Sequence, residues 1–263
     1  MMAEDLVRSS TQEGMAILEI TNPPANTYNL ELLRQLDAAI VEARLNPDVH
    51  ALLLRGAGEK FFSAGADIKF IQEASPEARY NFSLFGHETL NRLENTPKLV
   101  VAALNGHTVG GGLEIAMACD LRVAKKDGGR IGLAEVNLGV LPGMGGTQRL
   151  ARLVGRSRAL ELAATGATIS FEDAHDLGLV NQIFDRDNYW DDVLAYVKQF
   201  IPPNKSSFAV GRIKRAIQSG IEGSLNEGLA LEREVLAQAF ASEDAAEGMK
   251  AYLEKRAPKF KGR

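Results

Sequence analysis

Two carboxylates stand in stretches that offer a charge no polar company. Glu114 lies in "NGHTVGGGLEIAMACDL" (105–121), inside a run otherwise apolar from Leu113 to Cys119 and directly after Gly110, Gly111 and Gly112. Glu135 follows 21 residues on, in "GLAEVNLGVLPGMGGTQRL" (132–150), among Leu133, Ala134, Val136 and Leu138 and ahead of a second glycine-rich loop. An unpaired buried carboxylate is costly, so each must be paired, protonated or functional. Two carboxylates in apolar surroundings can hold different protonation states, which supplies a general base and a general acid. The same residues also fit structural hydrogen bonds or ion pairs, and the pattern alone leaves both readings open.

The backbone around them is equally unusual. In 105–121 a strand runs into a glycine turn and then a helix start, where free N–H groups carry a partial positive charge of roughly half a unit. Glycines let a ligand approach those N–H groups closely. "FFSAGADIKF" (61–70) repeats the theme, with small residues before a helix start, Asp67 as N-cap and Lys69 beside it. Two such loops aimed at one point would form an oxyanion hole. Other chemistries lack their patterns. The glycine-rich segments fail both G-x-G-x-x-G and G-x-x-x-x-G-K-[ST], and neither H-E-x-x-H nor G-x-S-x-G occurs. His50, His87, His107 and His175 are scattered without metal-ligand spacing, so no metal site is expected.

The elements that position these loops are partly legible. "GMAILEIT" (14–21) alternates as a strand, "NPPAN" (22–26) is a turn, and Leu33, Leu36, Ile40 and Ala43 give Leu30–Ala43 helical spacing. "ALLLRG" (51–56), "LVVAAL" (99–104) and "LVNQIF" (179–184) read as strands and "LEIAMAC" as a short helix. "LRVA" (121–124) and "RIGL" (130–133) flank "KKDGG", which reads as a hairpin turn. From Tyr189 to Arg256 only helical periodicity survives. A boundary therefore falls near "IPPNK", with a mixed α/β part over 1–200 and a helical part over 201–263.

Composition sets wider bounds. The 263 residues are 45% hydrophobic and 24% charged, enough to bury a sizeable core, and the net charge of −4 argues against a broad nucleic-acid surface. Cys119 is the single cysteine, so no internal disulfide is possible. "MMAEDLVRSS" lacks an apolar leader, and no run is long enough for a membrane span. A cytoplasmic protein is expected.

At the level of whole blocks, "FFSAGADIK", "NGHTVGGGLEIAMACDLRVA" and "AEVNLGVLPGMGGTQRL" resemble, in order and spacing, the three signature blocks of the crotonase superfamily, specifically its enoyl-CoA hydratases. "ATGATISFEDAHDLGLVNQIF" (164–184) and "AAEGMKAYLEKRAPKFKG" (245–262) resemble the segments that follow, so the resemblance covers essentially the whole chain. It implies an α/β fold, a spiral of ββα turns, with a C-terminal helical region for trimerisation and trimers pairing into hexamers. It implies hydration of a trans-2-enoyl-CoA, as in fatty-acid β-oxidation. No cofactor is implied, since coenzyme A is part of the substrate. Glu114 and Glu135 match the catalytic glutamates. The N–H groups of Ala66 and Gly111 match the oxyanion hole. Ala25, Ala66, Asp67, Ile68, Lys69, Gly143, Tyr252 and Lys255 match the substrate and CoA contacts, with Lys255 matching a basic residue that reaches the CoA phosphates, often from a neighbouring subunit, and Tyr252 nearby.

There are departures from the family pattern. Ala134 stands where many relatives have proline, Tyr252 where phenylalanine is usual, "KKDGG" adds a residue between the glutamates, and "NPPANTYN" (22–29) is an unusual first turn. An isomerase or thioester hydrolase on the same fold is the nearest alternative. RNA binding through the basic "KSSFAVGRIKR" (205–215) and "EKRAPKFKGR" (254–263) is a more distant one, as is a non-catalytic member. Phe70, Ile71, Tyr80, Phe82 and Phe85 are candidates for the acyl pocket or for plain core.

Overall fold

The computed structural model describes residues 5–263; the first four residues of "MMAEDLVRSS", read above as lacking a leader, lie outside the described residues. A hairpin of β1 (Val7–Gln12) and β2 (Met15–Ile20) leads to α1 (Leu30–Leu45). Three similar turns follow. β3 (Ala51–Gly56) passes into β4 (Phe61–Ser63), α2 (Ile68–Glu73) and α3 (Pro76–Glu94). β5 (Leu99–Leu104) passes into β6 (His107–Val109) and α4 (Gly111–Met117). β7 (Leu121–Lys125) passes into β8 (Arg130–Gly132), a single 3-10 turn (Glu135–Leu138), α5 (Gly146–Val154) and α6 (Arg156–Thr165). Then come β9 (Ile169–Ser170), α7 (Phe171–Asp176) and β10 (Gln182–Phe184). Helices α8 (Tyr189–Lys198), α9 (Ser207–Gly220), α10 (Leu225–Phe240) and α11 (Glu243–Leu253) complete the chain.

In each turn the first strand joins a six-stranded sheet, ordered β1-β2-β3-β5-β7-β10, and the second joins a four-stranded sheet, ordered β4-β6-β8-β9. From β2 to β10 the large sheet is parallel, as are β4, β6 and β8 in the small one. This is the α/β spiral of ββα turns that the sequence blocks imply. Each corner between the sheets carries a glycine for a steric reason. A Cβ on Gly56 would strike the Phe61 and Phe62 backbone, and one on Gly106 the Lys60 and Phe61 backbone. One on Gly129 would lie 2.6 Å from the His107 nitrogen. Asn105 locks the first corner, accepting from the Gly56 N–H at 3.0 Å and donating to the carbonyls of Gly56 and Gly58 at 3.0 and 2.7 Å.

"KKDGG" is accordingly not a hairpin. β7 and β8 lie in different sheets, and the segment is the third corner. Asp127 has φ 49° and the Gly128 N–H donates to Lys125 O at 2.9 Å. This turn chemistry serves a hairpin and a corner alike, so local sequence does not separate them. β1 was not read from the sequence at all. Its VRSSTQ is exposed at the sheet edge and shows no apolar alternation.

The large sheet is buried on both faces, as parallel sheets are. Alternate residues (Leu18, Ile20, Leu52, Leu54, Val100, Ala102) face α1 and α4, and the others (Met15, Ile17, Leu53, Val101, Val123) face Tyr189, Val193 and Val197 of α8 and then Ile201. Helix α9 is tied to this body by a buried ion pair, Lys214 Nζ to Asp120 Oδ2 at 2.8 Å, with side chains 6% and 10% exposed. Gln218 donates to the other Asp120 oxygen at 2.8 Å, and Lys214 also donates to Lys98 O at 3.1 Å. Removing one partner of such a pair strands a charge. Lys214→Ala is expected to cost about 3 kcal/mol in urea unfolding, whereas Arg152→Ala, at the half-exposed pair with Glu222, costs under about 1 kcal/mol. Equal costs would show that the Lys214 pair is not buried in solution.

Candidate active site

The two glycine-rich loops leave neighbouring strands, β4 and β6, on the same side of the small sheet. Gly110 caps α4 with φ 57° and donates its N–H to Gly132 O at 2.9 Å, which ties the start of α4 to the end of β8. Gly111 is the first residue of α4, so its N–H has no helical acceptor. On the other loop, the Tyr28 N–H donates to Gly65 O at 2.9 Å and the Asp67 N–H donates to Tyr28 O at 2.8 Å. In this parallel bridge the N–H of Ala66 itself points away from Tyr28. The loops touch: a Cβ on Gly65 would lie 3.1 Å from the Gly111 nitrogen. Asp67 is the N-cap of α2, accepting from Lys69 N–H at 2.9 Å and Phe70 N–H at 3.4 Å.

Glu114 projects from α4 and is 1% exposed. Its Oε1 accepts the N–H groups of Met144 at 2.6 Å and Gly146 at 2.7 Å, while Oε2 takes neither. The loop can present both donors because Gly145 sits at φ 100°. Arg149 steadies it, donating to Met144 O at 2.9 Å and to Glu94 Oε2 at 2.7 Å. Ser83 Oγ donates to Gly143 O, pinning the same loop to α3. Burial pushes the Glu114 carboxyl above its ordinary range, opposed by the Gly146 and Met144 N–H groups and then by His87 and Arg149.

Glu135 opens the 3-10 turn and faces Gly110 from the other side. A Cβ on Gly110 would lie 3.0 Å from its Oε1. Its Oε2 is buried without a hydrogen-bond partner. Burial pushes its pKa up to about 7, opposed by its own backbone N–H and reinforced by the nearby charge of Glu114. The apolar neighbours read from the sequence are split. Leu133 is buried, but Val136, Leu138, Val140 and Leu141 are exposed.

Glu114, Glu135, Ala66 and Gly111 are thus gathered at the ends of β4, β6 and β8. Ala25 joins the same neighbourhood, its carbonyl accepting from the Ala64 N–H at 3.0 Å. Gly143 borders the Glu114 loop, and Ile68 and Lys69 are exposed on α2. Tyr252 and Lys255 stand apart at the exposed end of α11, where the Lys255 N–H donates to Tyr252 O at 3.2 Å. Of the aromatic candidates, Phe82 is buried and Tyr80 is 69% exposed. Sequence reasoning passed over Tyr28, Met144, Gly146 and Arg149. The departure of "NPPANTYN" from the usual first turn was the signal at hand for Tyr28. Among the described residues, no group of three or more His, Cys, Asp or Glu is placed to hold a metal ion.

This spiral of ββα turns is that of the crotonase superfamily. A family model described as enoyl-CoA hydratase/isomerase matches residues 10–263. A probable enoyl-CoA hydratase of Bacillus subtilis is 40% identical, with 96% of this chain and 97% of that one covered. A crotonyl-CoA hydratase of Syntrophomonas wolfei is 35% identical, with 98% and 99% covered. The crystal structure of an enoyl-CoA hydratase from Bacillus anthracis superposes with a TM-score of 0.93 at 32% identity, covering 98% of this chain and 100% of that one. The chain belongs to the enoyl-CoA hydratase/isomerase family.

The raised pKa of Glu135 links to stability. Its protonated form is favoured by folding, so its contribution is complete below the ordinary carboxylate pKa and is lost as pH rises through about 7. The permanently neutral Glu135→Gln is therefore expected to be more stable than the native protein by about 1–2 kcal/mol at pH 8 after discounting for solvent screening. The gain shrinks as pH falls to about 5. Urea midpoints across this range test it; a pH-independent gain would contradict the assignment.

Proposed function

We propose that the protein hydrates trans-2-enoyl-CoA thioesters to 3-hydroxyacyl-CoA. The observation that carries this reading is a pair of carboxylates close enough to feel each other's charge, Glu114 buried and Glu135 partly so, with Glu135 beside Gly110 at the start of the helix whose first N–H is that of Gly111. The names borne by the relatives from Bacillus subtilis and Syntrophomonas wolfei agree with it. The thioester oxygen accepts from the N–H groups of Ala66 and Gly111. Water lies between the carboxylates. Glu114, anchored through one oxygen, uses the other to take a proton as the water oxygen bonds to C3. Glu135, about half protonated at neutrality, delivers a proton to C2, and the two groups titrate as a coupled pair. Negative charge grows on the thioester oxygen between these events, where fixed donors stabilise it most. Ala25, Asp67, Ile68, Lys69 and Gly143 line the path of the CoA thioester, and Tyr252 and Lys255 contact CoA from a neighbouring subunit.

Glu114→Gln and Glu135→Gln are each expected to lower kcat for crotonyl-CoA hydration by about 10²–10⁴-fold. Native turnover in both would refute the mechanism. A product with a shifted double bond would assign the chain to the isomerases of the family.

We also propose that residues 1–200 carry the active site and that 201–263 build a trimer or a dimer of trimers. The exposed Ile213, Ile217 and Ile221 of α9 and its following turn, with Leu225 and Leu229 of α10, form an apolar surface of the kind subunit interfaces use. Light scattering should give the mass of three or six chains, and a monomer would overturn this assignment.

A further inference from the structure

Tyr28 stands where the two oxyanion loops meet. Through its backbone it sets the direction of the Ala66 peptide, by the two hydrogen bonds to Gly65 and Asp67. Its side chain reaches the other loop, where a Cβ added to Gly111 would run first into the Tyr28 hydroxyl. The ring is stacked on Phe82, with centroids 6.0 Å apart and planes at 29°, and Phe82 is braced edge-on by Phe70 at 5.0 Å. The phenol therefore has little freedom to move.

Tyr28 is only 3% exposed, yet its hydroxyl makes no hydrogen bond to the protein among the described residues. Buried tyrosine hydroxyls usually find a partner. The Tyr28 oxygen is not sealed from solvent, so it opens toward the site, where phenylalanine would fill the same space but offer no donor. Burial, and then the charges of Glu114 and Glu135, push the phenol pKa well above its ordinary value, so the group stays a neutral donor. What it lacks is an acceptor, and the Gly111 N–H beside it marks where an acceptor oxygen would sit.

We propose that the Tyr28 hydroxyl is a third hydrogen-bond donor to the substrate's thioester oxygen, beside the N–H groups of Ala66 and Gly111. This rests on the hydratase reading above. As water adds at C3 and charge collects on that oxygen, the phenol strengthens its hydrogen bond but keeps its proton. The proton at C2 still comes from Glu135.

The test is Tyr28→Phe, with two readouts. With crotonyl-CoA, kcat should fall on the order of 10²-fold, as for loss of one oxyanion donor, with KM little changed. With butyryl-CoA, which cannot be hydrated, carbon-13 at the thioester carbonyl reports the donors by infrared difference spectroscopy. The carbonyl stretch, lowered on binding the native protein, should return part of the way to its free value in the variant. Replacing Tyr28 by a ring-fluorinated tyrosine, a stronger donor of the same shape, should lower the stretch further and keeps the test open if the phenylalanine variant misfolds. Unchanged kcat overturns the proposal. So does a lower kcat with an unmoved carbonyl stretch, which would put the hydroxyl on a carboxylate or in packing alone. If the native protein itself fails to hydrate crotonyl-CoA, the hydratase reading falls, while the carbonyl stretch still reports on the hydroxyl.

Discussion

Backbone lying directly on backbone is the constraint from which the rest of this structure follows. Parallel strands sit about 4.8 Å apart, and the chain must turn from one sheet to the other within that spacing three times. Gly56, Gly106 and Gly129 make the turns possible, because a Cβ at Gly56 would meet the strand its own corner leads into, and one at Gly106 or Gly129 would meet the turn before. Once the corners stack, β4, β6 and β8 are neighbours, and so are the loops that leave them. The contact of Gly65 with Gly111, and the hydrogen bond from Gly110 to Gly132, are those strand pairings continued past the strand ends. The site is therefore a by-product of sheet order. Three loops that are remote in sequence arrive together because their strands do.

Within that frame the ionisable groups are held by different means. Glu114 sits in the core, its burial offset by two N–H donors from a loop that glycine alone can shape. Glu135 sits at the edge of a short 3-10 turn, with one oxygen buried and unpaired, and its proton affinity rises because little favours its charge. Tyr28 is neutral, wedged and close to both. One carboxylate is thus held through a single oxygen, the other is biased toward carrying a proton, and the fold itself places both.

Much of this was legible in the sequence. Glu114 and Glu135 stood out because a charge inside an apolar run needs a reason, and Asp67 announced itself as a helix cap. The strands of the large sheet, buried on both faces, read as plain apolar runs. What escaped was non-local. "KKDGG" has the residues of a tight turn, and nothing local says whether the next strand returns to the same sheet or leaves for another. Strand β1 is polar and exposed, so only its pairing with β2 defines it. Arg149 reads as one more helical cation, and its ion pair with Glu94 exists only once α5 has packed against α3. Tyr28 lies in a turn whose oddity was visible, but whose far contact, 83 residues along the chain at Gly111, was not.

The unequal anchoring of the two carboxylates bears on how such a site changes over evolutionary time. Losing Glu114 would strand the N–H groups of Met144 and Gly146 in the interior, so any replacement must still offer them an acceptor. Losing Glu135 frees at most its own backbone N–H, since its buried oxygen has no partner to orphan. Substitution there is structurally cheap and leaves the backbone at Ala66 and Gly111 as it is. A lineage built on this scaffold can therefore drift at position 135 while the rest of the site is held in place by the requirements of folding.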